Sequence, residues 1–453
     1  MSALGSRSNP LRVAIVGSGP SGFYAAEALF KAEHAITVDM IERLPAPFGL
    51  VRSGVAPDHP KLKQPIQVYE KIAQTEGFNF IGNVTVGRDV SVAELRATHH
   101  VVLFTCGAET DRKLGVSGEG LPGSHTATEF VGWYNGHPDY RDRVFDLRQE
   151  AAVVIGQGNV AADVARMLGK SAAELATTDI AEHALEALAA SRVREIHLIG
   201  RRGPAQAKFT NKELRELGEL TNCAVIVNPA ELQLNSESAA ELADKNNYTA
   251  ARNAEIFHGW AQSQASAKPR RIAFHFLASP VELKGEGRLQ RLVLEKNRLE
   301  GPSFAQTAKG TGERFELPCG LLFRSIGYQG IPIPGVPFDA RRGIFPNDKG
   351  SITDAPGLYA AGWIKRGPTG IIGTNRADAV ATVATVLSDL EKFTPATKPG
   401  AAGLLPLLAR RGLKVVGYSD WQQIDAQEVQ RGEPKGKPRE KFTRVAEMLT
   451  ALQ

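Results

Sequence analysis

Two short glycine-rich runs carry the spacing that cradles a pyrophosphate. In the first, apolar Val13 to Val16 lead into Gly17-Ser18-Gly19-Pro20-Ser21-Gly22, and Ala25, Ala26, Leu29 and Phe30 then recur on one side of a helical period. The first glycine permits a tight turn, the second lets backbone approach a phosphate, and the third allows close packing of helix on strand. The helix N-terminus adds free N–H groups and positive dipole. An acid, Glu42, stands at the end of the next apolar run, where a carboxylate can accept hydrogen bonds from a ribose. The second run, AAVVIGQGNVAADVARML from Ala151, repeats strand, Gly156-Gln157-Gly158-Asn159-Val160, then helix, with Ala161 taking the packing place of the third glycine. Its following strand, EIHLIG, ends in Arg201-Arg202 instead of an acid. A carboxylate there would repel a ribose 2′-phosphate, whereas guanidinium forks pair with it. The two motifs together predict two dinucleotides, a resident flavin at the first site and NADP(H) at the second.

The elements that must position these loops follow from the pattern around them. The chain has 453 residues, 42% hydrophobic and 23% charged, enough for two or three domains of ordinary globular composition. The expected class is α/β, with two Rossmann-like dinucleotide-binding domains, the NADP domain inserted into a discontinuous FAD domain. The boundaries expected are 10–109 and 330–453 for FAD and 110–329 for NADP. Strand-like HHVVLFTCGAETDR (99–112) would close the first part, and LLFRSIGY (321–328) would end the insertion. The segment Gly357-Leu-Tyr-Ala-Ala-Gly362-Trp363 then reads as a small-residue strand that ends against the flavin. Glycines are 45 of the 453 residues, above the ~7% of average proteins, and concentrate at these turns.

Composition also excludes classes. A formal charge of +5, without Lys/Arg blocks or interleaved aromatics, argues against nucleic acid as a partner. Cys106, Cys223 and Cys319 stand far apart, form no CxxC, zinc or iron–sulfur spacing, and read as small buried fillers. No apolar run reaches the ~18 residues of a membrane helix, and residues 1–10 are too short for a secretory signal. The expectation is a soluble monomer of the bacterial cytoplasm, or of the mitochondrial matrix were the source eukaryotic.

Two further groups admit a plain and a functional reading. Asp58-His59-Pro60 precedes an amphipathic helix with Leu62, Ile66 and Tyr69 on one face, so it can be a helix start with proline in the first turn. Thr210-x-x-Glu213 has the form of a capping box, which by itself explains a glutamate there. Near the C-terminal part, Gly367-Pro-Thr-Gly370-Ile371-Ile372-Gly373-Thr374 opens a helix through Ala377, Val380 and Val383, whose N-terminus would favour negative charge on a reduced flavin.

The segments GLVRSGVAPDHPK (49–61), VGWYNGHP (131–138), IGQGNVAADVAR (155–166), IGRRGPAQAKFTNKELREL (199–217) and AGWIKRGPTGIIGTN (361–375) resemble the adrenodoxin reductase family and its bacterial ferredoxin:NADP+ reductases. The C-terminal DWQQIDAQE and GEPKGKPREK (420–441) also resemble bacterial members, leaving little apart from polar 230–268 outside the likeness. The resemblance implies that His59 and Glu213 lie at the flavin–nicotinamide site, and that Trp363 neighbours both rings. It also implies FAD contacts from Leu50, Val86, Gly370, Ile371 and Ile372, with Gly370 and Glu213 shared with NADP. With no CxxC to receive electrons, reduced flavin must discharge outside the chain. The implied acceptor is a small acidic ferredoxin-type iron–sulfur protein docking on basic residues, and one possible destination beyond it is a cytochrome P450. Lys31, Arg270 and Arg271 are docking candidates set against ordinary solvated charge. A flavin monooxygenase, an NADPH diaphorase with a small-molecule acceptor, or a non-enzymatic flavoprotein would use the same two sites.

Overall fold

In a computed structural model the described residues are 3–263, 267–370 and 372–453. The chain separates into two units, one formed by the segments through Thr110 and from Gly327 onward, the other by Asp111–Ile326.

In the first unit Leu11–Val16 is the middle one of five parallel strands in a seven-stranded sheet. It is flanked by Ile36–Ile41 and then Phe78–Ile81 on one side, and by Val101–Phe104 and then Leu358–Ala360 on the other, all parallel. Two short antiparallel pairings, Asn347–Asp348 and Ser351–Ile352, finish that edge. Parallel strands buried on both faces read as continuous apolar runs. Accordingly Leu11, Val13 and Ile15 face one core, with Phe23, Ala26, Tyr69, Val383 and Trp421. Ala14 and Val16 face a second core, with Leu95, Phe345, Leu404 and Leu408. The helices Pro20–Phe30 and Ile372–Ser388 thus lie on one face, Val92–Thr98 and Ala401–Arg410 on the other.

The second unit holds a six-stranded, all-parallel sheet in the order Ser124–Thr126, Leu321–Arg324, Ala151–Ile155, Glu195–Ile199, Arg270–His275, Cys223–Val227. Helix Asn159–Gly169 packs on one face through Ala161, Ala165 and Leu168. The opposite face is covered by a three-stranded antiparallel sheet, Ala278–Lys284, Arg291–Glu300 and Thr307–Pro318, whose Leu283, Leu292 and Leu294 meet Val153, Ile155 and Leu322.

Two local expectations are corrected. The amphipathic helix expected after Pro60 is broken into a 3-10 turn, Pro60–Lys63, and a helix, Ile66–Ala73, because Pro65 has no N–H to continue the ladder. Tyr69 is buried, but Leu62 is 38% exposed. Cys106 is only half-buried, pressed beside the first glycine turn, whereas Cys223 and Cys319 are buried as expected. Burial pushes the Cys223 and Cys319 thiols up to about 12, and it pushes Cys106 up as well, which leaves none of them a ready thiolate.

The segment Gly49 to Gly54 is anchored by a charge pair. Glu428, fully buried on helix Tyr418–Gly432, receives Arg52 in two hydrogen bonds of 2.6 and 2.9 Å, and the Phe442 N–H at 2.9 Å. The Arg52 guanidinium lies over the Trp421 ring, 4.9 Å from its centroid. Removing one member of a buried pair strands the other's charge. Glu428→Ala is therefore expected to lower unfolding stability by about 3–5 kcal/mol in denaturant titrations. Arg52→Met combined with Glu428→Leu should cost less than the sum of the two single changes.

Candidate functional site

The first glycine turn is shaped by what its three glycines meet. Gly17 has φ +104, and a Cβ there would lie 2.8 Å from the Thr105 carbonyl oxygen and from the Cys106 Cα. A Cβ on Gly22 would lie 2.3 Å from the Gly17 carbonyl oxygen, so helix Pro20–Phe30 can approach the turn only with glycine there. The middle glycine differs: around Gly19 nothing stands within 4 Å of the added carbon. Backbone is thus packed behind the turn and open in front of it, and no side chain caps the helix at Gly19. This is the surface a pyrophosphate needs.

Glu42 follows its strand as expected, and its carboxylate is already partly used. Oε2 accepts from the Ser18 N–H (3.1 Å) and Oγ (2.7 Å), and Oε1 accepts from the Leu44 N–H (3.2 Å). It therefore braces the glycine turn while Oε1 keeps a lone pair for a ribose hydroxyl. No motif marks Ser18 for this part.

Two other segments converge on the same turn. The Phe48 N–H donates to the Ser18 carbonyl oxygen at 3.0 Å, and a Cβ on Gly49 would meet the Gly19 Cα at 3.0 Å. Leu50 opens the next short helix and is 41% exposed. At the end of strand Leu358–Ala360, Gly362 has φ +76, and a Cβ on it would sit 2.2 Å from the Ser21 Oγ. The Gly362 N–H donates to Asp378 Oδ2 at 2.6 Å, and Lys365 Nζ donates to Asp378 Oδ1 at 2.9 Å, an anchoring acid that no motif indicated. Trp363 stacks on Tyr328 at 5.3 Å and 24°, and its Nε1 is buried without a hydrogen-bond partner. A buried indole N–H normally finds an acceptor, so this orphan is a place where a bound ring can supply one.

The remaining residues expected around the first site lie farther along the chain. His59 is 8% exposed and ends the bend before the Pro60 turn. Val86 is half-buried in a turn bridged to Val90. Gly370 has φ +85, Ile372 opens helix Ile372–Ser388, and Ile371 lies outside the described residues.

The second glycine turn repeats the arrangement. Gly156 has φ +142 and would place a Cβ 2.2 Å from the Ser325 carbonyl oxygen, while Gly158 has nothing within 4 Å and no side chain caps its helix. Gln157 is fixed by its carbonyl oxygen, which accepts the Lys208 N–H at 2.7 Å, and Val160 is half-buried against the core. Arg201 is exposed just beyond strand Glu195–Ile199, and Arg202 is half-buried. Burial and the neighbouring Arg201 charge both hold the Arg202 guanidinium below its usual range, the sign of a site that favours an anion. Arg202 and Lys208 line a cavity of about 60 Å³ with Gln206, Glu241 and Gln306.

The capping box expected at Thr210 and Glu213 does not form. Thr210 is the N-cap residue of helix Asn211–Gly218, yet it makes no side-chain cap. Its N–H, which Glu213 would have taken, donates to Asn159 Oδ1 at 2.8 Å. The Glu213 carboxylate is thereby left without a hydrogen bond or ion pair among the described residues, and the capping explanation for it falls away. The docking candidates are also occupied. Arg270 donates to the Leu168 and Lys170 carbonyl oxygens at the end of helix Asn159–Gly169, Arg271 pairs with Glu195 at 2.7 Å, and Lys31 pairs with Glu27 at 2.6 Å.

Among the described residues no helix is long and apolar enough to cross a membrane, and no group of three or more His, Cys, Asp or Glu could hold a metal ion. Residues 15–81 match the family model of an NAD(P)-binding Rossmann-like domain. The chain is 46% identical over 453 residues to the NADPH-ferredoxin reductase FprA of Mycobacterium tuberculosis, covering 97% of this chain and 98% of that one. It is 44% identical over 464 residues to the mitochondrial NADPH:adrenodoxin oxidoreductase of Arabidopsis thaliana, covering 98% and 96%. Among solved structures, Mycobacterium tuberculosis FprA in complex with NADPH superposes with a TM-score of 0.94 at 45% identity, covering 98% of this chain and 99% of that one. With two open glycine cradles and full-length likeness at these identities, the chain belongs to the adrenodoxin reductase family of NADPH-ferredoxin reductases.

Proposed function

We propose that the chain is an FAD-dependent reductase that takes electrons from NADPH and passes them to a ferredoxin-type iron–sulfur protein. The observation that carries this is the pairing of two like cradles with unlike neighbours: Glu42 beyond the first, Arg201 and Arg202 beyond the second. The first is assigned to FAD and the second to NADP(H). Bound FAD supplies the essential chemistry, accepting a hydride as an electron pair and releasing electrons singly.

The chain's own residues supply binding and orientation. Gly17, Gly19, Pro20, Ser21 and Gly22 present backbone to the FAD pyrophosphate, Glu42 takes a ribose hydroxyl, and Trp363 Nε1 donates to an acceptor on the flavin or nicotinamide. Leu50, Val86, Gly370 and Ile372 complete that pocket. Gly156, Gln157, Gly158, Asn159 and Val160 hold the NADP pyrophosphate, and Arg201 with Arg202 holds its 2′-phosphate. His59 and Glu213 position the nicotinamide or carry a proton beside it, a reading supported for Glu213 by its freedom from the helix cap. No cysteine of the chain is placed or ionised to receive electrons, which favours an acceptor in trans. That this acceptor serves a cytochrome P450, that the enzyme is a monomer and that it works in a bacterial cytoplasm rest on the family likeness alone.

The central test is NADPH-driven cytochrome c reduction, with and without a [2Fe-2S] ferredoxin and repeated with NADH. Strong stimulation by ferredoxin and a clear preference for NADPH are expected. NADPH consumption indifferent to ferredoxin would instead indicate oxygen or a small molecule as acceptor. Replacing Arg201 and Arg202 by Ala should erode the NADPH preference by about 1.5–3 kcal/mol for each charged hydrogen bond lost, and unchanged selectivity would remove the 2′-phosphate assignment. In stopped-flow measurements, His59→Ala and Glu213→Ala should each slow flavin reduction on the order of 10²-fold while FAD is retained. Reduction at the wild-type rate would return both residues to structural roles.

A further inference from the structure

Within the polar stretch that no motif explained, residues 235–241 build a support for the tip of a neighbouring hairpin. The strands Arg291–Glu300 and Thr307–Pro318 are joined through residues 301–306, and Phe304 sits in that loop with φ 65 and 61% exposure. Both features are unfavourable. A bulky residue in the left-handed region is strained, and a glycine would relieve it. A large apolar ring in water gains nothing from folding.

The surrounding bonds hold the tip in place regardless. Glu241, 3% exposed on helix Ser236–Ala243, accepts the Phe304 N–H at 2.8 Å and the Gln306 Nε2 at 2.9 Å on Oε1. Its Oε2 accepts from Gln206 Nε2 at 2.9 Å. Ser303 Oγ donates to the Glu237 carbonyl oxygen at 3.1 Å, and Asn235 Nδ2 donates to Gln306 Oε1 at 2.7 Å. Burial opposes ionisation of Glu241, but the Gln306 and Gln206 amides and the Phe304 N–H outweigh it and hold the carboxyl below its usual range. A charged carboxylate with three hydrogen bonds therefore fixes the backbone that presents the ring.

Phe304 borders the same cavity of about 60 Å³ as Arg202 and Lys208. That space is too small for a purine, and the Glu241 carboxylate on its wall opposes an anion inside it, so a phosphate is held at its mouth by Arg202 and Lys208 while waters fill the interior. Gln206 Oε1, buried on its wall without a partner, offers one further acceptor to a bound water or hydroxyl. In a 2′-phosphorylated adenosine the base is attached one ribose carbon away from the phosphate ester. A phosphate seated beside Arg202 therefore leaves the base at the cavity rim, where the exposed ring stands.

We propose that Phe304 is the adenine-binding platform of the NADP site, stacking on the base whose ribose phosphate Arg202 holds at the mouth of that cavity. This rests on the assignment of Arg201 and Arg202 to the 2′-phosphate. Stacking on an aromatic ring is indifferent to the phosphate, so Phe304 contributes affinity while the arginines contribute selectivity.

Titration calorimetry on the FAD-loaded protein, with 2′,5′-ADP and NAD+ as probes, separates the two. Phe304→Ala should weaken both probes by a similar factor, about tenfold. Arg201→Ala with Arg202→Ala should weaken 2′,5′-ADP and leave NAD+ nearly unchanged. Phe304→Gly, which relieves the strained φ, should melt no lower than wild type and bind as weakly as Phe304→Ala. Phe304→Trp should keep affinity and show indole quenching by 2′,5′-ADP beyond that of wild type. Wild-type affinity for 2′,5′-ADP in Phe304→Ala, or an unquenched Phe304→Trp, overturns the proposal. An unaffected arginine double variant overturns only the phosphate assignment, because the response of NAD+ to Phe304→Ala does not depend on it.

Discussion

Each nucleotide cradle depends on a backbone approach too close for a side chain. Behind Gly17 stand the Thr105 carbonyl oxygen and the Cys106 Cα, and behind Gly156 stands the Ser325 carbonyl oxygen. These contacts draw the end of one parallel strand against the turn leaving its neighbour, which sets the N-terminus of the following helix at the carboxyl ends of the strands, where a phosphate can sit. Packing on the far side of each turn leaves Gly19 and Gly158 facing open space, so binding surface and tight packing are two sides of one constraint. What differs between the sites is added afterwards by short side chains. Glu42 braces one turn through Ser18, and Asn159 ties the other to Thr210.

The glycine turns and the parallel sheets were legible because they are written in local signals. Apolar runs mark strands buried on both faces, and only glycine tolerates φ +104 at Gly17 or φ +142 at Gly156. The arginine pair after Glu195–Ile199 was legible for the same reason, since its place follows from the end of a strand. Features settled by distant partners were not. Thr210-x-x-Glu213 has the form of a cap, but an asparagine 51 residues earlier takes the N–H that the cap required. The break at Pro65 was local and could have been read from the proline itself. Neither Asp378 beneath Gly362 nor Tyr328 against Trp363 leaves a trace in spacing, because each meets its partner only through the tertiary fold.

Strain shows the limit of sequence most clearly. Nothing in Gly-Pro-Ser-Phe announces that Phe304 will adopt φ 65, since its N–H is held by Glu241, which Gln306 in turn fixes. Buried charge behaves likewise. Glu428 reads as one of several acids on a polar helix, and its partnership with Arg52, 376 residues away, appears only when helix Tyr418–Gly432 is seated.

That pairing sets an order of assembly during synthesis. The unit Asp111–Ile326 is continuous, so its sheet can close as soon as its last strand, Leu321–Arg324, has left the ribosome. The first unit cannot, because the strand Leu358–Ala360 and the Glu428 that receives Arg52 are both made more than 300 residues after the Leu11–Val16 strand. The nascent chain therefore carries its N-terminal glycine turn incomplete while the inserted unit matures. That first cradle closes last, although its sequence is translated first.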